Sequence, residues 1–472
     1  MTTIGRVLAL PTLAAGASEA LASLRSRLLP AREDFEAATE VPSLLAVPQT
    51  AGALSVGLCL DGPAGQGGQV SRVAWGDCAA VSCSALAARD PVFRSEAGLA
   101  TLRQVVAPAL EGSELTGFRE LAAEIDELTE LQQVEQRKPS PDRSPGAGGL
   151  SRRTLLTAPV RALHASRAAD ETAHTVSLPR PLHSAVCYGV SQALLQAFAM
   201  DRGLTMAEVI AGEWSLAQPA GVVPLHAQSG TDRYGDADRM IVHRLASLPH
   251  CLFDSDPDQV GADGSELTRY LRWLSSRIGE LAGSEYQPAI HIDISGALSA
   301  LYDNDLGRIL GQLYAWERAA QPYELRVECP VLLQSRESQI ETMASLRDYV
   351  RFRGMAVKLV ADEWANTLDD IIAFIEASAC DMVHIKMPDL GGIHKSVDAV
   401  LACKSAGVGT LLGGSYAETH LAATVSAHVA LATQPDLAMA KPGLEVDGAV
   451  SLIHNEMARA LSEIRSRGSA AP

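Results

Sequence analysis

The sequence has no CxxC pair. Its eight cysteines, Cys59, Cys78, Cys83, Cys187, Cys251, Cys329, Cys380 and Cys403, are scattered along 472 residues. That spacing argues against a zinc or disulfide framework and for buried free thiols in a reducing compartment. No apolar run reaches the about 18 residues that a membrane-spanning helix needs. The N-terminus lacks a positively charged start followed by an apolar run, the mark of a secretory signal. The expected location is the cytoplasm, with no membrane partner. Positive charge is scarce too: 39 basic against 56 acidic residues leave a net charge of −17. Nucleic acid is excluded as the main partner, because a phosphate backbone needs a basic face.

What is present is ordinary globular composition, 47% hydrophobic and 20% charged, with length for two or three cores at about 150 residues each. The first third reads as an α+β unit. Apolar runs at 52–60 and 70–75 flank the Gly-rich DGPAGQGGQ and predict a hairpin. Helical periodicity covers 97–135 and returns at 183–200. Between them, residues 136–180 are rich in Pro, Gly, Ser and Arg and read as a mobile surface insert. From about residue 220, eight short β-like runs alternate with helical stretches: 222–228, 250–253, 289–294, 325–329, 357–361, 382–386, 408–412 and 437–440. No repeat of fixed period accompanies them. The alternation itself implies an α/β fold with a parallel sheet, and eight strands close a (β/α)8 barrel of the TIM type. The expected domains are 1–215 (N-terminal α+β), 216–445 (barrel) and 446–472 (C-terminal helix).

In such barrels the chemistry stands at the C-terminal strand ends. Three successive ends carry Asp293, Glu328 and Asp362, 35 and 34 residues apart, and the next carries Lys386, 24 residues further. Each spacing is about one βα unit, so adjacent strands direct the three carboxylates toward one point. Hard oxygen ligands suit Mg²⁺ or Mn²⁺ rather than zinc. A lysine beside a divalent cation has its charged form disfavoured, so Lys386 is expected to serve as a base near neutral pH. A cation-bound substrate carboxylate would stabilise the charge left when the neighbouring carbon loses its proton.

Neighbouring strands add polar groups at the same level. Strand one ends near His226 and Gln228, and strand two near His250. Gln228 can donate to a substrate carboxylate, and His250 can act as a second acid/base. The seventh strand leads into GGSYAETH, whose Ser415 and Tyr416 offer N–H groups and a hydroxyl to an anion. Lys441, after the eighth strand, pairs with a carboxylate or lies on the surface; the sequence leaves both open.

Longer strings carry a resemblance. GDCAAV (76–81), ARDPVF (88–93), LHSAVCYGVSQALL (182–195), QSGTDRY (228–234), LPHCLF (248–253), HIDISG (291–296), VADEWANT (360–367), HIKMPDLGGIHKSVDAV (384–400), AKPG (440–443) and NEMARAL (455–461) resemble methylaspartate ammonia-lyase, a branch of the enolase superfamily. The resemblance spans nearly all of the chain except 136–180. It implies an N-terminal capping domain over the barrel, a homodimer, and Mg²⁺ held by Asp293, Glu328 and Asp362. It further implies an amino dicarboxylic acid substrate, a 3-substituted aspartate that loses its C3 proton to Lys386 and its amino group as ammonia. His250 would act from the opposite face of C3, and Gln228 would help hold the substrate carboxylates.

Several positions that would line the substrate depart from the family. His384 stands where the family has glutamine, and His226 where it has another aromatic residue. Ser415 and Tyr416 replace Thr-Cys, Ser82 replaces a glutamine near the substrate amine, and Met439 replaces leucine. Base and cation ligands are kept while the pocket changes. Two further readings follow: an enolase-superfamily lyase or epimerase acting on another amino or hydroxy acid, and a non-catalytic binding protein. The retained carboxylates and Lys386 argue against the second of these.

Overall fold

The computed structural model describes residues 2–13, 52–62, 72–79, 88–91, 93–136, 174–230, 232–253, 260–414, 418–441 and 445–468. Ser82, Ser415 and Tyr416 lie outside these residues. The chain forms two compact units, one of Met1–Leu128 with Leu182–Pro472 and one of Thr129–Pro181.

The first unit begins with an antiparallel sheet of β1 (Thr3–Leu13), β2 (Gly52–Asp61) and β3 (Arg72–Cys78), with β2 in the middle. The predicted hairpin is present, with β2 and β3 paired in register from Leu54↔Cys78 to Leu60↔Arg72. Residues 53–60 of β2 are all buried, which is why this strand reads as one continuous apolar run. β1 was not expected from the sequence. The helix Ser184–Arg202, buried along most of its length, lies against β3. Two glycines allow this approach. A Cβ on Gly76 would stand 2.0 Å from the carbonyl oxygen of Gly189 and 2.6 Å from the nitrogen of Ala193. The buried Asp77 beside it accepts hydrogen bonds from Ser55 Oγ and from Thr419 Oγ1, the latter at 2.5 Å.

The second unit is a ribbon of β4 (Thr129–Gln136) and β5 (His174–Pro181), paired antiparallel. It corrects two expectations. Helical periodicity read over 97–135 ends with the helix Phe118–Asp126, and the insert read at 136–180 yields to strand from residue 174. Glu130 and Arg180 face each other in the ladder, and Arg180 Nη2 lies 2.6 Å from Glu130 Oε1. A cross-strand charge pair of this kind favours a ribbon, and nothing in the local composition reveals it.

The rest of the first unit is a closed barrel in the order β10-β11-β12-β13-β6-β7-β8-β9. Its strands are β6 (Leu225–Gln228), β7 (Ser247–Leu252), β8 (Ala289–Asp293), β9 (Leu325–Glu328), β10 (Lys358–Ala361), β11 (Met382–Lys386), β12 (Gly409–Gly413) and β13 (Leu437–Ala440). Every neighbouring pair is parallel. All eight runs read from the sequence are therefore barrel strands. Side chains alternate faces along a strand, and on β11 this separates two environments. Val383 and Ile385 join the large core that includes the surrounding helices, while Met382 packs with Val360, Leu411, Leu437 and Met439 in a separate cluster. His384 and Lys386 share the parity of Met382 and stand further along the same face. The helix Val446–Gly468 closes the chain, burying Ala449, Ile453, Met457, Ala460 and Ile464 along one stripe.

Gly76→Ala is expected to destabilise the protein by about 1–3 kcal/mol, the usual cost of overpacking, because the new methyl meets backbone rather than a flexible side-chain tip. Denaturant titration of both proteins checks this, and an unchanged midpoint would contradict the close approach.

Candidate active site

The register of the barrel brings the three carboxylates together. Asp293 pairs with Glu328 across β8 and β9, Glu328 pairs with Val360 of β10, and Asp362 follows one residue after β10. One oxygen from each of Asp293, Glu328 and Asp362 lies within 4.8 Å of the others, and all three residues are buried. Lys386, at the end of β11, donates from Nζ to Asp362 Oδ2 at 2.6 Å.

Buried like charges must be compensated, and each carboxylate is treated differently. Burial disfavours the charge on Glu328, yet His384 and His250, with hydrogen bonds from His291 and His384, hold its carboxyl well below the ordinary range. His384 Nδ1 lies 2.8 Å from Oε1 and His291 Nε2 lies 2.8 Å from Oε2, so an imidazole engages each oxygen. Burial, then the charges of Glu328, Glu363 and Asp362, push Asp293 well above its usual value. Burial also opposes ionisation of Asp362, but Lys386 and then Arg89 more than offset it, and its value falls. Asp293 is thus the carboxylate with least cationic support. A buried trio of oxygen donors with one repelled member fits a hard divalent ion such as Mg²⁺, whose charge would relieve that repulsion.

Lys386 shares in this charge balance. Burial opposes its charge, but Asp362, joined by Glu363 and Glu328, outweighs this and holds the ammonium above the ordinary lysine range. The lowered value read from the sequence is that of a lysine beside a divalent cation, whose charge would neutralise these carboxylates.

Arg89 is a site residue that the sequence did not single out. Its buried guanidinium reaches Asp362 Oδ1 at 3.3 Å, Glu363 Oε1 at 3.4 Å and Asp389 Oδ2 at 2.7 Å. Asp362 therefore carries Arg89 on one oxygen and Lys386 on the other. Arg89 and Asp389 are 300 residues apart, and no spacing rule connects them. His291 was legible in principle, since it stands two residues before Asp293 and so shares its face of β8.

His226, His250 and His291 form a group of buried imidazoles on β6, β7 and β8. Ring centroids are 5.2 Å apart for His226–His250, 4.7 Å for His226–His291 and 5.8 Å for His250–His291. His250 also lies 3.9 Å from Asp293 Oδ2 and 3.9 Å from Glu328 Oε2. Burial, reinforced by His384, His291 and Lys386 and opposed by Glu328, brings His250 down to about 3. Burial and the neighbouring imidazoles also push His226 well below the usual histidine range. Gln228, half-buried at the end of β6, pairs in register with His250. Met439 is buried in the apolar cluster with Val360, Met382, Leu411 and Leu437. His384 fits because residue 413 has no side chain: a Cβ there would lie 2.0 Å from His384 Nε2.

The alternatives left open for Lys441 resolve to a buried ion pair. Its Nζ lies 3.0 Å from Glu418 Oε1 and donates to the Gly413 carbonyl at 3.1 Å. Glu418 in turn accepts from Tyr188 Oη at 2.8 Å, a link from the N-terminal helix to the barrel.

Barrel, carboxylate trio and strand-end lysine define a class, a (β/α)8 barrel with a candidate catalytic centre at its C-terminal strand ends. A solved structure of muconate lactonizing enzyme shares the fold at TM-score 0.54 and 12% identity, over 91% of this chain and 85% of that one. More specific matches follow. The family models for the methylaspartate ammonia-lyase C-terminus and N-terminus match residues 218–466, and 34–139 with 152–215. Methylaspartate ammonia-lyase 2 of Carboxydothermus hydrogenoformans is 38% identical over 435 residues, 92% of each chain. Methylaspartate ammonia-lyase of Clostridium tetanomorphum is 35% identical over 84% of this chain and 85% of its own. The magnesium complex of β-methylaspartase from that organism superposes at TM-score 0.75 and 32% identity, over 98% of this chain and 100% of that one. Citrobacter amalonaticus methylaspartate ammonia lyase, solved containing (2S,3S)-3-methylaspartic acid, superposes at TM-score 0.77 and 32% identity with the same coverage. This chain belongs to the methylaspartate ammonia-lyase family.

Removing one member of a buried ion pair leaves the other charge uncompensated, at a cost of about 3–5 kcal/mol. Glu418→Met is expected to lose that much unfolding free energy, and adding Lys441→Met should recover part of it. Chemical denaturation of the two variants reads both effects. Equal loss in single and double variants would mean that the pair is not coupled.

Proposed function

We propose that this protein eliminates ammonia from 3-methylaspartate or a closely related 3-substituted aspartate. The observation that carries this reading is the convergence of Asp293, Glu328 and Asp362 within 4.8 Å, with Lys386 2.6 Å from Asp362. Asp293, Glu328 and Asp362 would hold Mg²⁺, and Mn²⁺ suits the same oxygen set. When bound, such an ion supplies electrostatic stabilisation to negative charge building on a substrate carboxylate.

The chain's own residues supply the proton chemistry. Lys386, once neutral, takes the proton from C3. The C3–H electron pair becomes the C2=C3 double bond, and the C2–N pair leaves with the substrate's protonated amino group, which departs as neutral ammonia. The carbon product is an unsaturated diacid. Lysine suits this role because its ammonium can lose a proton when its surroundings change, whereas arginine stays protonated. Arg89 occupies Asp362 Oδ1, so Lys386 is held at Oδ2. Neutral His250 is the acid/base for the opposite face of C3. Gln228 holds the substrate carboxylates; His226, His384 and Met439, with Ser82, Ser415 and Tyr416 outside the described residues, are the remaining substrate-binding candidates. The protein acts in the cytoplasm as a homodimer; its seven described cysteines are buried free thiols, which suits a reducing compartment.

A second reading, a superfamily lyase or epimerase on another amino or hydroxy acid, is favoured by one observation. His226 and His384 bring two further imidazoles beside Glu328 and His250. Incubation with 3-methylaspartate separates the readings. Ammonia and unsaturated diacid in equal amounts support the first, and an epimer without ammonia supports the second.

Lys386→Ala is expected to lower turnover of the best substrate by a factor of about 10² to 10⁴, as loss of a general base does. Lys386→Arg should not restore it. A near-normal rate in either variant would remove Lys386 from the mechanism. Exhaustive chelation should abolish turnover and added Mg²⁺ should return it; activity that survives chelation would refute the cation-assisted scheme.

A further inference from the structure

We infer that His226, His250 and His291 form a second cation site inside the barrel, one that takes a borderline divalent transition ion such as Zn²⁺, Co²⁺ or Ni²⁺. The three residues come from adjacent strands β6, β7 and β8 and are 0%, 5% and 0% exposed. One ring nitrogen from each lies within 4.8 Å of the others. Both nitrogens of His226, Nδ1 of His250 and Nδ1 of His291 are buried without a hydrogen-bond partner. A neutral imidazole has one donor and one acceptor, and buried polar atoms are normally paired. His226 satisfies neither of its own.

His291 is set up as a ligand in a particular way. Its Nε2 meets Glu328 Oε2 at 2.8 Å, so with Glu328 ionised the proton sits on Nε2 and the Nδ1 lone pair is free. A histidine that donates one N–H to a carboxylate and offers the other nitrogen to an ion is the usual support of a histidine-bound metal. The competing group of His250, Glu328 and His384 is weaker, because Nδ1 of His384 is already engaged by Glu328. Imidazole nitrogen selects transition ions over Mg²⁺, which prefers oxygen. Nitrogen–zinc distances of about 2.0–2.1 Å place ligand nitrogens roughly 3.4 Å apart in a tetrahedral site. The three rings must therefore close by about 1.5 Å at most, and His226 breaks no hydrogen bond in moving. Two adjacent sites of different chemistry follow: oxygen ligands for a hard ion, nitrogen ligands for a softer one. An ion on His250 also withdraws that lone pair from substrate, so Zn²⁺ inhibits. This consequence rests on the lyase reading; the binding does not.

The test uses the full-length protein in excess Mg²⁺, titrated with Co²⁺ and followed by equilibrium dialysis and visible absorption. Wild type is expected to retain one Co²⁺ per chain, with the intense bands of a four-coordinate ion, and Zn²⁺ should displace it. His226→Phe should lose this ion, whereas His454→Ala, an exposed histidine, should keep it. X-ray absorption of the zinc form of wild type should find three imidazole nitrogens, a result that needs no variant to fold. Equal Co²⁺ uptake by wild type and His226→Phe, zinc surrounded only by oxygen, or no uptake in excess Mg²⁺ would each overturn the proposal. Ammonia release is assayed separately with Mg²⁺ alone; its absence would count against the lyase reading and leave the cobalt count untouched.

Discussion

Negative charge concentrated at one end of the barrel is the constraint to which the surrounding structure answers. Asp293, Glu328, Asp362 and Glu363 are all buried there, with Asp389 close by on Arg89. Two unit charges about 4 Å apart repel by roughly 4 kcal/mol at an effective dielectric near 20, so uncompensated neighbours would unfold the site. Compensation comes from several directions. Arg89 and Lys386 take the two oxygens of Asp362, and His384 and His291 take those of Glu328. Asp293 is left with the weakest support, an asymmetry that distinguishes the trio from a closed salt-bridge network and suits a hard divalent cation.

The same constraint explains why the N-terminal segments matter to a site built on barrel strands. Arg89 comes from the N-terminal third of the sequence, and its guanidinium ties Asp362, Glu363 and Asp389 together. Tyr188 reaches the Glu418–Lys441 pair, and Asp77 reaches Thr419 at the start of the helix His420–Thr433. Each contact joins the sheet-and-helix layer to the strand ends where substrate would sit. Removing that layer would cost charge balance as well as covered surface.

His226 and His384 both approach His250, at 5.2 Å and 5.5 Å between ring centroids. Burial and neighbouring imidazoles hold His226 and His250 below the usual histidine range, so these two add lone pairs rather than positive charge. Lone pairs of this kind present nitrogen beside the oxygen donors of the carboxylates.

The sequence by itself determined the periodic and the local features of this protein. Alternation of apolar runs and helices marked all eight barrel strands, and strand-end position marked Asp293, Glu328, Asp362 and Lys386, because a strand end is a local property and the βα spacing repeats it. Parity along a strand carried His384 and His226 to the same face as Lys386 and Gln228. Tertiary structure alone decided everything that joins distant segments. Arg89 and Asp389, Lys441 and Glu418, and Glu130 and Arg180 meet through folding, and no spacing rule links them. The ribbon of β4 and β5 escaped notice because its ladder depends on a partner across the insert. The electrostatic state of Lys386 was legible only in outline: its pKa depends on every charge within reach, and only the folded barrel fixes which charges those are.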